Sequence, residues 1–193
     1  MLDFTSVKRG EVSMNDLAAR LDMSQLRDLT EKSVSAMLDL LDGMADADVP
    51  FVPADPSARD EASADPSETG LAWTFGHVVA HTTASGDEYA AVAAEFARGV
   101  PFHGRPRYET PWPSMTTLAR CRQRLVESRR IRLASLEMWP DEPHLDIGTA
   151  YWSTSGWVNA KGIFTWGLAH DADHQRQLGG IRAQALTARG EVS

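Results

Sequence analysis

Apolar residues recur at helical spacing in four long stretches of this chain. From about Met23 to Met44, residues Leu26, Leu29, Val34, Met37, Leu38, Leu40 and Leu41 fall three or four apart, with Gly43 near the end, and predict a first long helix. Residues 71–98 predict a second, Ala-rich and carrying Trp73, Phe75, Val78, Val79, Tyr89, Val92 and Phe96, with Gly99 and Pro101 as its stop. Ser114 is a candidate cap for a third that runs to about Met138, where Trp139-Pro140 ends it. A fourth spans about Val158 to Leu186. Residues 47–70 hold Pro50, Pro53, Pro56 and Pro66 among Asp, Ser and Ala and predict a long acidic loop. Loops of that length inside compact domains tend to be functional or mobile. The stretch PFHGRPRYETPWP and residues 140–156 are irregular, and neither an internal repeat nor an alternating strand pattern is visible. Residues 1–20 stay open as an arm, a short first helix or a leader to an alternative start at Met14. Four long amphipathic segments with two long connections predict an all-α four-helix bundle, whose core is a common place for metal sites.

Composition narrows the picture. The chain has 193 residues, 42% of them hydrophobic, and six Trp, enough for one buried core. The expected division is an N-terminal arm over residues 1–21, a bundle domain over residues 22–187 and a tail over residues 188–193. A net charge of −8 argues against gripping a phosphate backbone, so nucleic acid is not an expected partner. No apolar run approaches the roughly 18–20 residues of a membrane span, and the first residues lack the apolar core of a signal peptide. The expected address is therefore cytoplasmic, in agreement with a single cysteine, Cys121, that permits no internal disulfide. A small-molecule substrate is the expected partner, and a homodimer is compatible with the chain.

The strongest local feature is His170-Asp-Ala-Asp-His174 in the fourth helix. Residues four apart lie about 40° from each other and roughly 6 Å along a helix axis, so both rings can reach one ion. Ile163, Trp166 and Ile181 share their face, which predicts that the pair points inward. A buried imidazole pair needs partners, and a metal ion is the economical one. A hydrogen-bonded core pair is the bland alternative. The second helix offers His77 and His81 at the same spacing. Catalytic metal sites commonly use three protein ligands and keep a position open, which leaves one of these four imidazoles over. A zinc protease is a poor fit, because Asp171 stands where the catalytic Glu of HExxH is required and no further His follows.

The order of these motifs, WTFGHVVAHTTASGDEY followed some ninety residues on by HDADHQRQL, resembles the DinB-like (DinB/YfiT-like) superfamily over about residues 22–187. The resemblance implies an up-down-down-up four-helix bundle with a three-histidine divalent metal site. Its ligand positions carry over to His81, His170 and His174, and His77 falls at a more variable position. Members of that superfamily include thiol-dependent S-transferases and a mycothiol-dependent maleylpyruvate isomerase. The implied cofactors are thus a divalent metal ion, with Zn, Ni, Fe and Cu equally suited to imidazole, and a low-molecular-weight thiol such as mycothiol as cosubstrate. The implied chemistry is ionisation of that thiol and its attack on an electrophile held in the bundle mouth. Mycothiol is preferred over bacillithiol or glutathione because Arg outweighs Lys, as in GC-rich genomes. A metal-dependent hydrolase and a non-catalytic, stress-related metal- or ligand-binding protein remain the alternatives.

Gln177, three residues after His174, and Glu88, seven after His81, can orient a ligand or a bound water, although each is as readily an exposed helix residue. Asp171 and Asp173 are expected to point away from the ligand stripe as surface charge. The Arg run RCRQRLVESRRIR reads as a solvated face unless Arg122, Arg124 or Arg129 turns inward to clamp a carboxylate. Cys121 reads as a packed small residue. Gly76, Gly162, Gly167 and Gly179 are candidates for close helix contact.

Overall fold

The computed structural model describes residues 2–59, 66–151 and 156–190. The centre of the 47–70 loop, part of the 140–156 stretch and the end of the tail lie outside them. The helices are α1 (Thr5–Lys8), α2 (Met14–Ala19), α3 (Met23–Asp39), α4 (Phe75–Ala97), α5 (Leu118–Glu137) and α6 (Ala160–Ala188). The four long ones are those expected from periodicity, and their caps explain where they begin. Asp22 and Gln25 close a reciprocal capping box on α3, and the side chains of Thr74, Thr117 and Asn159 accept from backbone N–H groups at the starts of α4, α5 and α6. The expected cap Ser114 instead sits in a 3-10 turn, Trp112–Ser114, three residues before Thr117, which caps α5.

Polar contacts along the helices set their directions. Ser33 meets Asp171 and Asp42 meets Arg182, so α3 runs with α6. Arg27 meets Glu137 and Arg129 meets Glu31, so α3 runs against α5. Asp87 meets Ser128 and the Ala97 carbonyl accepts from the His144 N–H, so α4 runs with α5. His81 meets His170, so α4, whose C-terminal half reaches back to the start of α6, runs against it. The bundle is therefore up-down-down-up, with α3 diagonal to α4 and α5 diagonal to α6.

Residues 2–21 pack on the bundle. Phe4, Met14 and Leu21 are buried, and α2 packs on α6. One further element escapes the hydrophobic pattern: β1 (Gly148–Ala150) pairs antiparallel with β2 (Trp157–Asn159). Three-residue strands are too short to leave an alternating signature. Gly148 is required there, because a Cβ would lie 2.7 Å from the Trp157 ring.

Apolar side chains form two clusters. One gathers Leu26, Phe96, Leu136, Trp139 and Ile163, and the other gathers Met37, Phe75, Val78, Leu125, Leu178 and Ile181. Between them lies a buried polar layer. Arg132, 2% exposed, ion-pairs with the fully buried Asp171 and approaches Asp87, while Ser33 and Thr82 donate to Asp171 and Ser128 donates to Asp87. Burial pushes the Asp87 carboxyl above its ordinary range despite Arg132 and Arg124. Asp171 is thus not surface charge as expected, and Arg132, not Arg122 or Arg129, is the member of the Arg run that turns fully inward. Asp173 does lie at the surface, paired with Lys8 and Arg176. Arg124 is half-buried on Asp87.

Candidate metal centre

His81 on α4 and His170 and His174 on α6 meet at the α4–α6 seam, level with the polar layer. The His170 Nε2 lies 3.2 Å from Nε2 of His81 and 3.2 Å from Nε2 of His174. The three rings offer ligand atoms all within 4.8 Å of one another, so the cluster can hold a metal ion. Ligands 2.0–2.1 Å from a tetrahedral ion stand roughly 3.3 Å apart, close to this spacing. The rings are partly covered rather than sunk in the apolar cores: the stripe crosses from Ile163 in one cluster to Ile181 in the other, and His81 keeps 24% of its side chain exposed.

The electrostatics keep these rings neutral. Burial, reinforced by His174 and by Arg107, pushes His81 down to about 3. Burial also holds His170 well below the ordinary imidazole range and lowers His174. Neutral rings have lone pairs to give, and their protons are partly placed. Gln177 Oε1 lies 2.7 Å from His174 Nδ1 and accepts its proton, leaving the His174 Nε2 lone pair aimed at the cluster. The Nδ1 of His81 faces the Arg107 guanidinium at 3.4 Å and can only accept there, which puts the His81 proton on Nε2. If His170 carries its proton on Nε2, two donors face each other. If it carries it on Nδ1, two lone pairs face each other. Either way one of the 3.2 Å contacts sets like against like, and a cation taking all three lone pairs removes the conflict. The donor set therefore fits a divalent ion.

His77, one turn before His81, does not join the cluster. Its ring stacks between Trp73, at 4.5 Å, and Trp112, at 4.6 Å. Glu88 is not solvated. Its side chain, 1% exposed, is held by Arg105, Arg107 and the Tyr151 hydroxyl. Burial alone raises its carboxyl, but the bonds from Arg105, Tyr151 and Arg107 outweigh burial and hold it below the ordinary range. Arg107 also bonds Ser85 and Glu109, so one guanidinium ties Glu88 to His81. Arg105, Arg107 and Glu109 lie in the connection between α4 and α5, a stretch legible in the sequence only as proline-rich. Nothing local marks them.

Beside His174 a cavity of about 230 Å³ opens, lined by Trp73, Leu71, Gln177 and, from the acidic loop, Asp55, Ser57, Ala58 and Arg59. Trp73 also approaches His81, with ring centroids 4.7 Å apart. Cys121 is buried, its thiol pushed up to about 12 by burial, and plays no part in the cluster. No helix among the described residues is long and apolar enough to cross a membrane.

No curated protein and no solved structure matches the chain significantly. A family model does: that of the DinB superfamily matches residues 29–178, which carry all three clustered histidines and the main part of each long helix. The chain belongs to the DinB superfamily.

Proposed function

We propose that this protein is a divalent-metal-dependent enzyme that joins a low-molecular-weight thiol of the mycothiol type to a small electrophile, as an S-transferase or a thiol-dependent isomerase. The observation that carries the reading is the convergence of three neutral imidazoles, their ligand atoms within 4.8 Å of one another, beside a cavity of about 230 Å³. His81, His170 and His174 would hold the ion, and zinc, nickel and iron all suit this donor set. When bound, the ion supplies Lewis acidity that favours the ionised form of a thiol. Lowering a thiol pKa from roughly 8.5 to 6.5 raises the thiolate fraction at pH 7 from about 3% to about 75%. Lower basicity also lowers nucleophilicity, so the chain must contribute by holding the reactants together. Trp73 offers an aromatic wall for that purpose, and Gln177 fixes the His174 ring at the cavity edge. In the transferase reaction a sulfur–carbon bond forms, the thiol proton passes to solvent, and a displaced group leaves with its electron pair; in the isomerase reaction the thiolate adds and later leaves again with the electron pair of that same bond.

The test starts with elemental analysis of the purified protein. His81→Ala, His170→Ala and His174→Ala should each lose most of the metal, while His77→Ala keeps it. Metal-loaded, chelated and His174→Ala protein are then assayed with mycothiol, bacillithiol and glutathione against monochlorobimane. A metal-dependent rate with one thiol is expected. Equal rates with and without metal, or no thiol bound by calorimetry, would refute the transferase reading and favour a hydrolase or a binding protein.

A further inference from the structure

The geometry points to Glu109 as a positioning residue of the metal centre, the carboxylate that accepts the His81 Nδ1 proton once an ion is bound through Nε2. This rests on the metal reading of the three histidines. A neutral imidazole that gives its Nε2 lone pair to a metal must carry its proton on Nδ1. In this structure the Nδ1 of His81 faces a guanidinium, which has five donors and no lone pair to offer. Metal binding therefore turns the Arg107–His81 contact into a meeting of two donors. An acceptor stands ready, because Glu109 Oε2 lies 4.0 Å from that same Nδ1 and is bonded to that same Arg107 Nη2. A movement of about 1 Å brings it to the 2.7–2.9 Å of a charge-assisted hydrogen bond. Arg107 does not have to leave, since its other nitrogen stays on Glu88 and Ser85. The partners of the outer ring nitrogens are then complementary: Gln177 sets His174 in advance, while Glu109 sets His81 only when the proton has moved. Gln177 is built into α6, whereas Glu109 comes from the α4–α5 connection, so this contact couples that connection to occupancy of the centre.

Zinc affinity of the full chain, measured by competition with a chromophoric chelator, tests the assignment. Glu109→Ala should weaken binding 10- to 100-fold, the usual cost of losing such a partner. Glu109→Gln, which keeps a carbonyl acceptor but no charge, should recover most of that loss. Nitrogen-15 NMR of zinc-loaded protein should show the His81 Nδ1 proton slow to exchange in wild type and fast in Glu109→Ala. Melting of the chelated variants checks that the fold is kept. Unchanged affinity in Glu109→Ala overturns the assignment, and so does equal loss in Ala and Gln, which would mean a field effect of the charge alone. Failure of wild-type protein to bind zinc would instead overturn the metal reading beneath it.

Discussion

Gly86→Ala sets two physical effects of opposite sign against each other. Gly86 lies in the middle of α4, where replacing glycine by alanine gains about 1 kcal/mol of helix propensity. The new methyl, however, would land in the Arg132 guanidinium, with Nε 2.5 Å away and Cζ and Nη2 closer still. A flexible side-chain end usually yields cheaply. This one is pinned to Asp171, Ser128 and the Thr82 carbonyl and is 2% exposed. Overpacking costs about 1–3 kcal/mol, and parting a buried charge from its partner costs about 3–5 kcal/mol. Even with the gain in propensity, a net loss of about 2–4 kcal/mol is expected, which in a chain of this size lowers Tm by about 5–15 °C. Gly179→Ala is the control, because a methyl there meets nothing within 4 Å, and it should stabilise by about 0.5–1 kcal/mol. Urea denaturation of chelated protein followed by circular dichroism measures both. A Gly86→Ala protein as stable as wild type would refute the pinned guanidinium.

Two further predictions concern titration. The Cys121 thiol, pushed up to about 12 by burial, should resist iodoacetamide at pH 8 in the native protein and react on unfolding; fast native labelling would contradict its packed position. Chelated protein should lose stability as pH falls below about 6.5, since the unfolded chain takes up protons on His81 there while the folded ring, held down to about 3, stays neutral until that far lower pH. Comparing denaturation midpoints at pH 7 and pH 5 should show a smaller drop for His81→Ala than for wild type, and an equal drop would tell against the buried neutral ring.

The four helices and the histidine pairs are legible in the sequence because both follow the periodicity of a helix. Asp171 is not, and the reason is geometric. It stands one residue, or 100°, around α6 from His170, a direction that leads to surface on a helix with one buried face. Here α6 is covered by α4 on one side and by α3 on another, so that direction leads into the bundle. Its partner Arg132 lies 39 residues away, and no local spacing links the two. Glu109 and Arg107 are equally hidden, since a loop has no period and its side chains gain meaning only from the helix they fold against. His77 shows the converse, an apt spacing that tertiary packing withdraws from the cluster.

The sandwich of His77 between two indoles bears on how the protein would acquire the ion proposed for the cluster. His81 and His170 are separated by 89 positions, so the native triad exists only after α4 and α6 have docked. Before that, an ion meets two local pairs, His77 with His81 and His170 with His174, each complete as soon as a single helix turn forms. Under the proposed metal reading the first pair would compete with the native site, since it enlists His77, which the mature fold keeps out of the cluster. Closure of Trp73 and Trp112 over His77 would oppose that capture, and the order in which metal and chain are mixed during refolding would then set the yield of loaded protein.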